Sequence, residues 1–435
     1  MGFKAAFLSL LLLASSTFAT DGSVDHSTTN GRKTCTVYAY KREKNKPPRD
    51  DVPHLLKAFK DCGNGGYIRF PAGQNYFIGQ RLSAVLNDVK IDWHGVWTFS
   101  DDLAYWRANS YRIAFQNHRA GFTISGDDII IDGFGTGGID GNGDAWYNAE
   151  HGSTQEGRPM PFVFWNVSQV TVNNFFVRQS PLWAINIMNG TDMYFTNITS
   201  NSTAHSAPYG SNWVQNTDGF NTMDARNIYL KGFTYQGGDD CVAIKPRSYN
   251  IYVSDVLCHG GNGIAIGSLG QYLEDSSVEN VWIDNVRIVR YNEDMHNSAY
   301  IKTWIGFQAP QSGYESENQP RGGGWGYVRN VLFSNFEVDG ADGGPALTQD
   351  NGNNGSYGGT SKMLVSNIVW ANFTGTVSKG KRRASISCSK VNPCYNIAFE
   401  GLDLVDAASG AVPGDTCSNI ASHGVRGLAN ANCNV

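Results

Sequence analysis

The sequence predicts an all-β, single-domain parallel β-helix with a short capping helix at its N-terminal end. Three observations predict it: alternating segments that recur along most of the chain, fifty glycines among 435 residues, and no linker-like stretch between segments. The segments NIYLKGFTY (from Asn227), NIYVSDVLC (Asn250), NVWIDNVRI (Asn280), NVLFSNFEV (Asn330), NIVWANFTG (Asn367) and NIAFEGLDL (Asn396) each open on Asn. Apolar residues then occupy every second place, the period of a strand with one buried face. Weaker copies start at Gln169 and Asp192. The Asn residues are spaced by 23, 30, 50, 37 and 29, so a unit of 23 to 30 residues carries variable loop insertions. A helical repeat would show an apolar period of about 3.6 residues. A propeller blade would need about 40 residues or more. One coil of a parallel β-helix meets both the period and the length. Coils stack about 4.8 Å apart, so the recurring Asn side chains are expected to form an amide ladder at one turn.

At the N-terminal end, Lys4, the apolar run from Ala6 to Ala14 and the small residues Thr17 and Ala19 read as an export signal over residues 1–19. The competing reading is a short buried helix; the charged start and the cleavage-site residues favour the signal. Residues 20–435 are then the β-helix domain. No later run approaches the roughly eighteen apolar residues of a membrane span. The expectation is a secreted, extracellular, soluble monomer with no membrane partner. Asp50–Lys60 (DDVPHLLKAFK) reads as the capping helix, with Pro53 in its first turn and Val52, Leu55, Leu56 and Phe59 on one face. Such a cap covers the apolar core that an open first coil would expose.

Eight cysteines fall into local pairs without the CxxC spacing of a metal or redox site: Cys35 with Cys62, Cys241 with Cys258, Cys388 with Cys394, and Cys417 with Cys433. In an exported chain these read as disulfides. Six N-x-S/T sequons, at Asn166, Asn189, Asn197, Asn201, Asn354 and Asn372, are the expected glycosylation sites. A formal net charge of −5 argues against nucleic acid as a partner.

The middle coils depart from scaffold. They carry NTDGF (216–220), GGDDCVAIKP (237–246), CHGGNGIAIGSLG (258–270) and YIKTW (300–304). Asp218 precedes Asp239 and Asp240 by 21 and 22 residues, and Asn262 lies 22 beyond Asp240. Those intervals are close to one coil, so the residues would stack on neighbouring rungs of one face. Glycoside hydrolysis needs one protonated carboxyl and one carboxylate. Clustered acids supply both, because mutual repulsion holds a proton on one of them. Adjacent Asp residues on a flat strand point to opposite sides, so both reach a cleft only where the chain turns; Gly237–Gly238 permits such a turn. Taken alone, NTD is a common turn sequence and a DD pair suits calcium. Together at coil spacing, with Lys302 nearby, they read as catalytic. Lys302 is placed to meet a substrate carboxylate as a point charge, with Lys245 a further candidate; the bland reading of either is a surface lysine. No cofactor and no metal are expected.

NTDGF, GGDDC, GGNGIAIGS and YIKTW, in this order, resemble the polygalacturonase family of pectin glycosidases (glycoside hydrolase family 28). GIDGNGDAW (138–146) and FPAG (70–73) resemble its earlier turns, and the likeness runs from about residue 50 to 400. GGNGIAIGSLGQY and IKTW look most like the fungal exo-acting branch, which removes single terminal units. The resemblance implies a right-handed parallel β-helix and an inverting reaction on a pectic polysaccharide or oligosaccharide. Asp239 would be the proton donor, Asp218 and Asp240 the residues that position and deprotonate water, and Lys302 the partner of the substrate carboxylate. Two positions depart from the endo-acting pattern, which has His at Asn262 and Arg at Tyr300. Asn262 can only hydrogen-bond there, and Tyr300 offers a ring to stack on sugar. The expected activity is that of a galacturan 1,4-alpha-galacturonidase, with a rhamnose-releasing exo-hydrolase of the same family as the alternative. A pectate lyase would need calcium ligands and an Arg or Lys base, and a non-catalytic wall-binding β-helix would have lost the acids. Exo action requires one end of the cleft to be blocked, a role expected of the insertion from Asn292 to Arg329.

Overall fold

The computed structural model describes residues 21–291, 297–313 and 319–428. The segment expected to be an export signal therefore lies outside the described residues. A single parallel sheet system of 24 strands winds through the chain, joined at its start by one antiparallel hairpin, Ser23–Thr29 with Arg32–Tyr38. The register follows the repeats read in sequence. Ile228, Ile251, Val281, Val331, Ile368 and Ile397, each following a repeat-opening Asn, pair in one continuous row.

The Asn ladder is present. Asn250 donates to Asn227 at 2.8 Å, Asn280 to Asn250 at 3.0 Å, Asn330 to Asn280 at 3.1 Å, Asn367 to Asn330 at 3.2 Å and Asn396 to Asn367 at 2.7 Å. Each of these residues has a φ of 53–59°, the left-handed region where Asn is tolerated and branched side chains are not. One side chain thus satisfies two demands, a tight corner and a polar link between coils.

The interior is a continuous apolar column with aromatic stacks along its axis, among them Phe336–Phe373 with ring centres 4.4 Å apart and Trp370–Phe399 at 4.9 Å. At the N-terminal end the helix Val52–Cys62 buries Val52, Leu55, Ala58 and Phe59 against the first coils. Leu56, expected on that face, is exposed instead. Asp51 sits at the helix N-cap, yet its carboxylate accepts from Tyr40 N at 2.8 Å and Phe77 N at 2.7 Å rather than from the helix. It joins the cap to the first strands. Disulfides Cys35–Cys62, Cys241–Cys258 and Cys388–Cys394 are formed. The expected partner of Cys417, Cys433, lies outside the described residues.

A small second layer lies on one outer face. Strands Tyr111–Ile113, His118–Ala120 and Pro159–Met160 form a three-stranded sheet over an apolar cluster that includes Met160, Val163, Trp183, Met188 and Met223. We call Tyr111–Ala120 the strap.

Candidate active site

Four coils build the site. On the face beneath the strap, Phe220, Val242, Ile264 and Ala299 pair in register and point inward. Their neighbours Asn221, Ala243, Ala265 and Tyr300 form the next, outward row. Alanines stand at two of these places, packed with Tyr300, and the turns that enter these strands carry the acids.

Asp239 and Asp240 occupy the turn between the strands Phe220–Gln236 and Val242–Ile244. Gly238 is needed here for space rather than for backbone freedom, because a Cβ would lie 2.1 Å from Asn212 Oδ1. Gly261 is required twice over, by a φ of +69° and by Asp239 O only 2.0 Å from where a Cβ would stand. Tyr235 braces the turn from within: its hydroxyl donates to Asp239 O at 2.9 Å and accepts from Asp239 N at 3.1 Å. Cys241–Cys258 ties the end of the turn to the strand that completes the coil.

The three carboxylates have different partners. Asp218 is buried with Lys245 Nζ 3.3 Å away, and Lys245 lies over the Trp183 ring at 4.0 Å. Asp240, also buried, accepts from Lys302 Nζ at 3.1 Å and from the Tyr300 hydroxyl. Lys302 further donates to Tyr300 Oη at 2.8 Å. Asp239 is held by four N–H groups and no ammonium: Asn216 N at 3.2 Å and Asn216 Nδ2 at 3.0 Å on one oxygen, Asp240 N and Asn262 Nδ2, each at 2.9 Å, on the other.

Electrostatics separates them further. Burial, then the charge of Asp240, pushes the Asp239 carboxyl above its ordinary range, and the more distant ammoniums of Lys302 and Lys245 only moderate this. Burial also raises Asp218, well above the usual carboxylate range, while Lys245 opposes that rise at ion-pair distance. Burial pulls Lys302 down, but Asp240, Asp239 and Asp218 together outweigh it and hold the ammonium above its ordinary value. The cluster therefore retains a proton where isolated aspartates would have lost theirs.

The structure brings together every residue singled out in the middle coils, with two differences of detail. Lys245 is a buried charge partner of Asp218 rather than an open point charge. Tyr300 is only 6 % exposed and presents its hydroxyl to Asp240, not its face to the cleft. Four contributors escaped the sequence reading. Asn216 stands within NTDGF, 23 residues before Asp239, and its coil spacing was a signal in plain view. Trp183 and Asn221 carry no motif; Asn221 is buried in the row of Ala243, with neither amide atom paired among the described residues. The strap is the fourth. Its tip reaches across the coils, with Gln116 Nε2 donating to Gln271 Oε1 at 2.7 Å and Phe115 meeting both Tyr272, at 5.6 Å, and Trp183, at 6.4 Å. The expected blocking segment plays a supporting part: Gly322 N donates to Gln271 O at 2.7 Å and Gly324 N to Gly270 O at 3.1 Å. Parts of that segment, 292–296 and 314–318, lie outside the described residues. Among the described residues no group of three or more His, Cys, Asp or Glu is arranged to hold a metal ion.

The chain is similar to several known proteins. A protein of Aspergillus niger bearing the provisional name galacturan 1,4-alpha-galacturonidase C is 60 % identical over 427 residues, covering 98 % of each chain. An exopolygalacturonase of Cochliobolus carbonum is 35 % identical over 363 residues, 82 % of this chain and 78 % of that one. The crystal structure of endo-xylogalacturonan hydrolase from Aspergillus tubingensis superposes with a TM-score of 0.76 at 26 % identity, covering 92 % of this chain and 99 % of that one. That of a hyperthermoactive exopolygalacturonase from Thermotoga maritima shares the fold alone, with a TM-score of 0.60 at 17 % identity over 89 % of this chain and 88 % of that one. The winding is that of the right-handed parallel β-helix. The family model described as glycosyl hydrolases family 28 matches residues 62–429, and the chain belongs to that family of glycoside hydrolases.

Proposed function

We propose that the protein is a secreted exo-acting pectin hydrolase that releases single galacturonic acid units from polygalacturonate and its oligomers by inverting hydrolysis of α-1,4 bonds. The observation that carries this reading is the strap seated beside Asp218. Phe115, Trp183, Lys245 and Asp218 form a contiguous chain of contacts from the strap tip to the carboxylate. The strap leaves the helix before the strand Phe122–Asp132, and its tip meets residues that follow the strand Ile264–Leu269. Five coil steps separate those strands, about 24 Å at the usual spacing. A long chain cannot run through a cleft closed in this way, whereas a chain end fits. The names of the fungal relatives support the same reading.

In this scheme Asp239, the carboxyl without a cationic partner, gives its proton to the glycosidic oxygen as the bond from that oxygen to the anomeric carbon breaks. Water adds to the anomeric carbon from the opposite side, and its proton passes to Asp240, with Asp218 orienting the water. Lys245 and Lys302 stand at ion-pair distance from Asp218 and Asp240 respectively. Lys302, the less buried lysine, exchanges part of its contact with Asp240 for the carboxylate of the terminal sugar. The sequons and disulfides fit passage through an oxidising export route. Among the described residues no helix is long and apolar enough to cross a membrane.

The test is digestion of polygalacturonate and, separately, of rhamnogalacturonan oligomers, with products followed by chromatography and by proton NMR in the first minutes. The expected result is monomeric galacturonic acid alone, first as the β-anomer, from polygalacturonate only. Early oligomers would overturn exo action, rhamnose would overturn the choice of sugar, an α-anomer would overturn inversion, and an ultraviolet-absorbing unsaturated product would mean elimination.

A further inference from the structure

We propose that a second carbohydrate site, built for an uncharged linear polysaccharide, lies on another face of the β-helix. Downstream of the cleft row, eight residues on in two of the coils (Asn186 to Tyr194, Asn221 to Tyr229), a line of aromatic side chains runs along the axis: Tyr194, Tyr229, Tyr252 and Trp282, paired in register. The three tyrosines stack at 4.8 Å between ring centres, with interplanar angles of 5° and 8°. Trp282 breaks the pattern. It meets Tyr252 edge-on at 79°, so its plane runs along the axis and its face looks sideways. Beside this row runs a groove of about 750 Å³ whose opposite wall is Thr196, Lys231, Ser254 and Asp284, the next outward row of the same strands.

These features specify a ligand. The core column accounts for the inward residues, and nothing in the fold requires four large rings in a line outside it; Tyr194 is 48 % and Trp282 50 % exposed. Exposed aromatic surface held in a groove marks a recognition site. Tyrosine edges and hydroxyls alternating with polar side chains suit a partner with apolar C–H faces and many hydroxyls, and the indole face is free to stack on a pyranose ring. The rung spacing is close to the length of one sugar residue, so a linear chain laid along the axis repeats its contacts from coil to coil. Charge selects among such chains. Among the described residues lining the groove, Asp255 and Asp284 face a single cation, Lys231, an excess of negative charge that repels polygalacturonate and leaves an uncharged glycan as the fitting partner. A second copy of the protein fits less well: a stable protein interface needs about 800 Å² per partner with a broad apolar centre, and this stripe is one residue wide. The site would hold the enzyme on neutral polysaccharide while its cleft works on acidic chains.

The experiment titrates the full secreted protein with cellohexaose by calorimetry, beside the variants Trp282→Ala and Tyr194→Ser, while release of galacturonic acid from a soluble trigalacturonate is measured on the same preparations. Wild type should bind saturably, Trp282→Ala at least tenfold more weakly and Tyr194→Ser detectably more weakly, with trigalacturonate turnover unchanged in both. No binding by wild type at millimolar ligand, or equal binding by Trp282→Ala, would overturn the site. Equal competition by hexagalacturonate, with the cleft saturated by galacturonic acid, would overturn the uncharged class. A Trp282-dependent dimer in sedimentation velocity would assign the face to self-association instead.

Discussion

At the residue scale, the site separates three aspartates by what stands beside each. Asp218 and Asp240 have lysines; Asp239 has only amides. Four N–H donors suit an ionised carboxyl, yet burial and the Asp240 charge favour its proton. Asn262 can serve both states. Its Nδ2 donates to Asp239 while its Oδ1 is buried without a partner among the described residues; turned over, the same side chain accepts from the protonated acid. Replacing Asp239 with Asn should reduce kcat on the order of 10³-fold, the loss expected for a general acid, with an unchanged thermal transition. Asn262→Leu should act differently. It removes a donor that favours the ionised form, so the alkaline limb of kcat/KM should move to higher pH while kcat falls only modestly. A merely structural Asn262 would lower activity and leave the limb where it is. His118, near Lys245, does not confuse this profile, because burial first and the neighbouring cations next push its imidazole down to about 3.

At the scale of elements, the strap is the part of the site that sequence did not reveal. Repeats announce themselves through period, so the strands, their register and the Asn ladder were legible; so were the motif acids, since coil spacing placed them on adjacent rungs. The strap has no repeat, and Gln116 and Gln271, which hold it, are 155 residues apart. Nothing local marks that pairing. The cap shows the same limit in miniature: its helix was legible from an apolar period, but the exposure of Leu56 and the outward use of Asp51 depend on strands elsewhere in the chain. Loosening the strap by Phe115→Ala with Gln116→Ala should let longer chains through, seen as oligomers among the early products of polygalacturonate. If the double variant still releases only monomer, closure lies elsewhere. Asp51→Ala should lower stability by about 2 kcal/mol, because the half-buried N–H groups of Tyr40 and Phe77 lose their acceptor, and thermal unfolding would report it. A loss below about 1 kcal/mol would mean that water replaces the carboxylate.

Across the whole molecule, charge sets a problem that the site does not solve alone. The chain carries a formal net charge of −5 and the proposed substrate is a polyanion. Within the site Lys245 and Lys302 each stand at ion-pair distance from an aspartate, Asp218 and Asp240, so neither ammonium faces the approaching chain unpaired. Recognition of the substrate carboxylate is then a contact interaction with Lys302, formed only after the chain end has entered. Approach is opposed by the field of the whole protein, which extends about 30 Å at 0.01 M salt and about 8 Å at 0.15 M. Raising ionic strength across that range should therefore increase kcat/KM on long polygalacturonate, by roughly threefold if repulsion limits encounter. On digalacturonate, with few charges to repel, the change should be much smaller. The measurement is initial rate against salt concentration at constant pH for both substrates. A rate on the polymer that falls as salt rises would show that the cleft attracts its substrate from a distance, and that Lys245 or Lys302 is less fully paired than the geometry indicates.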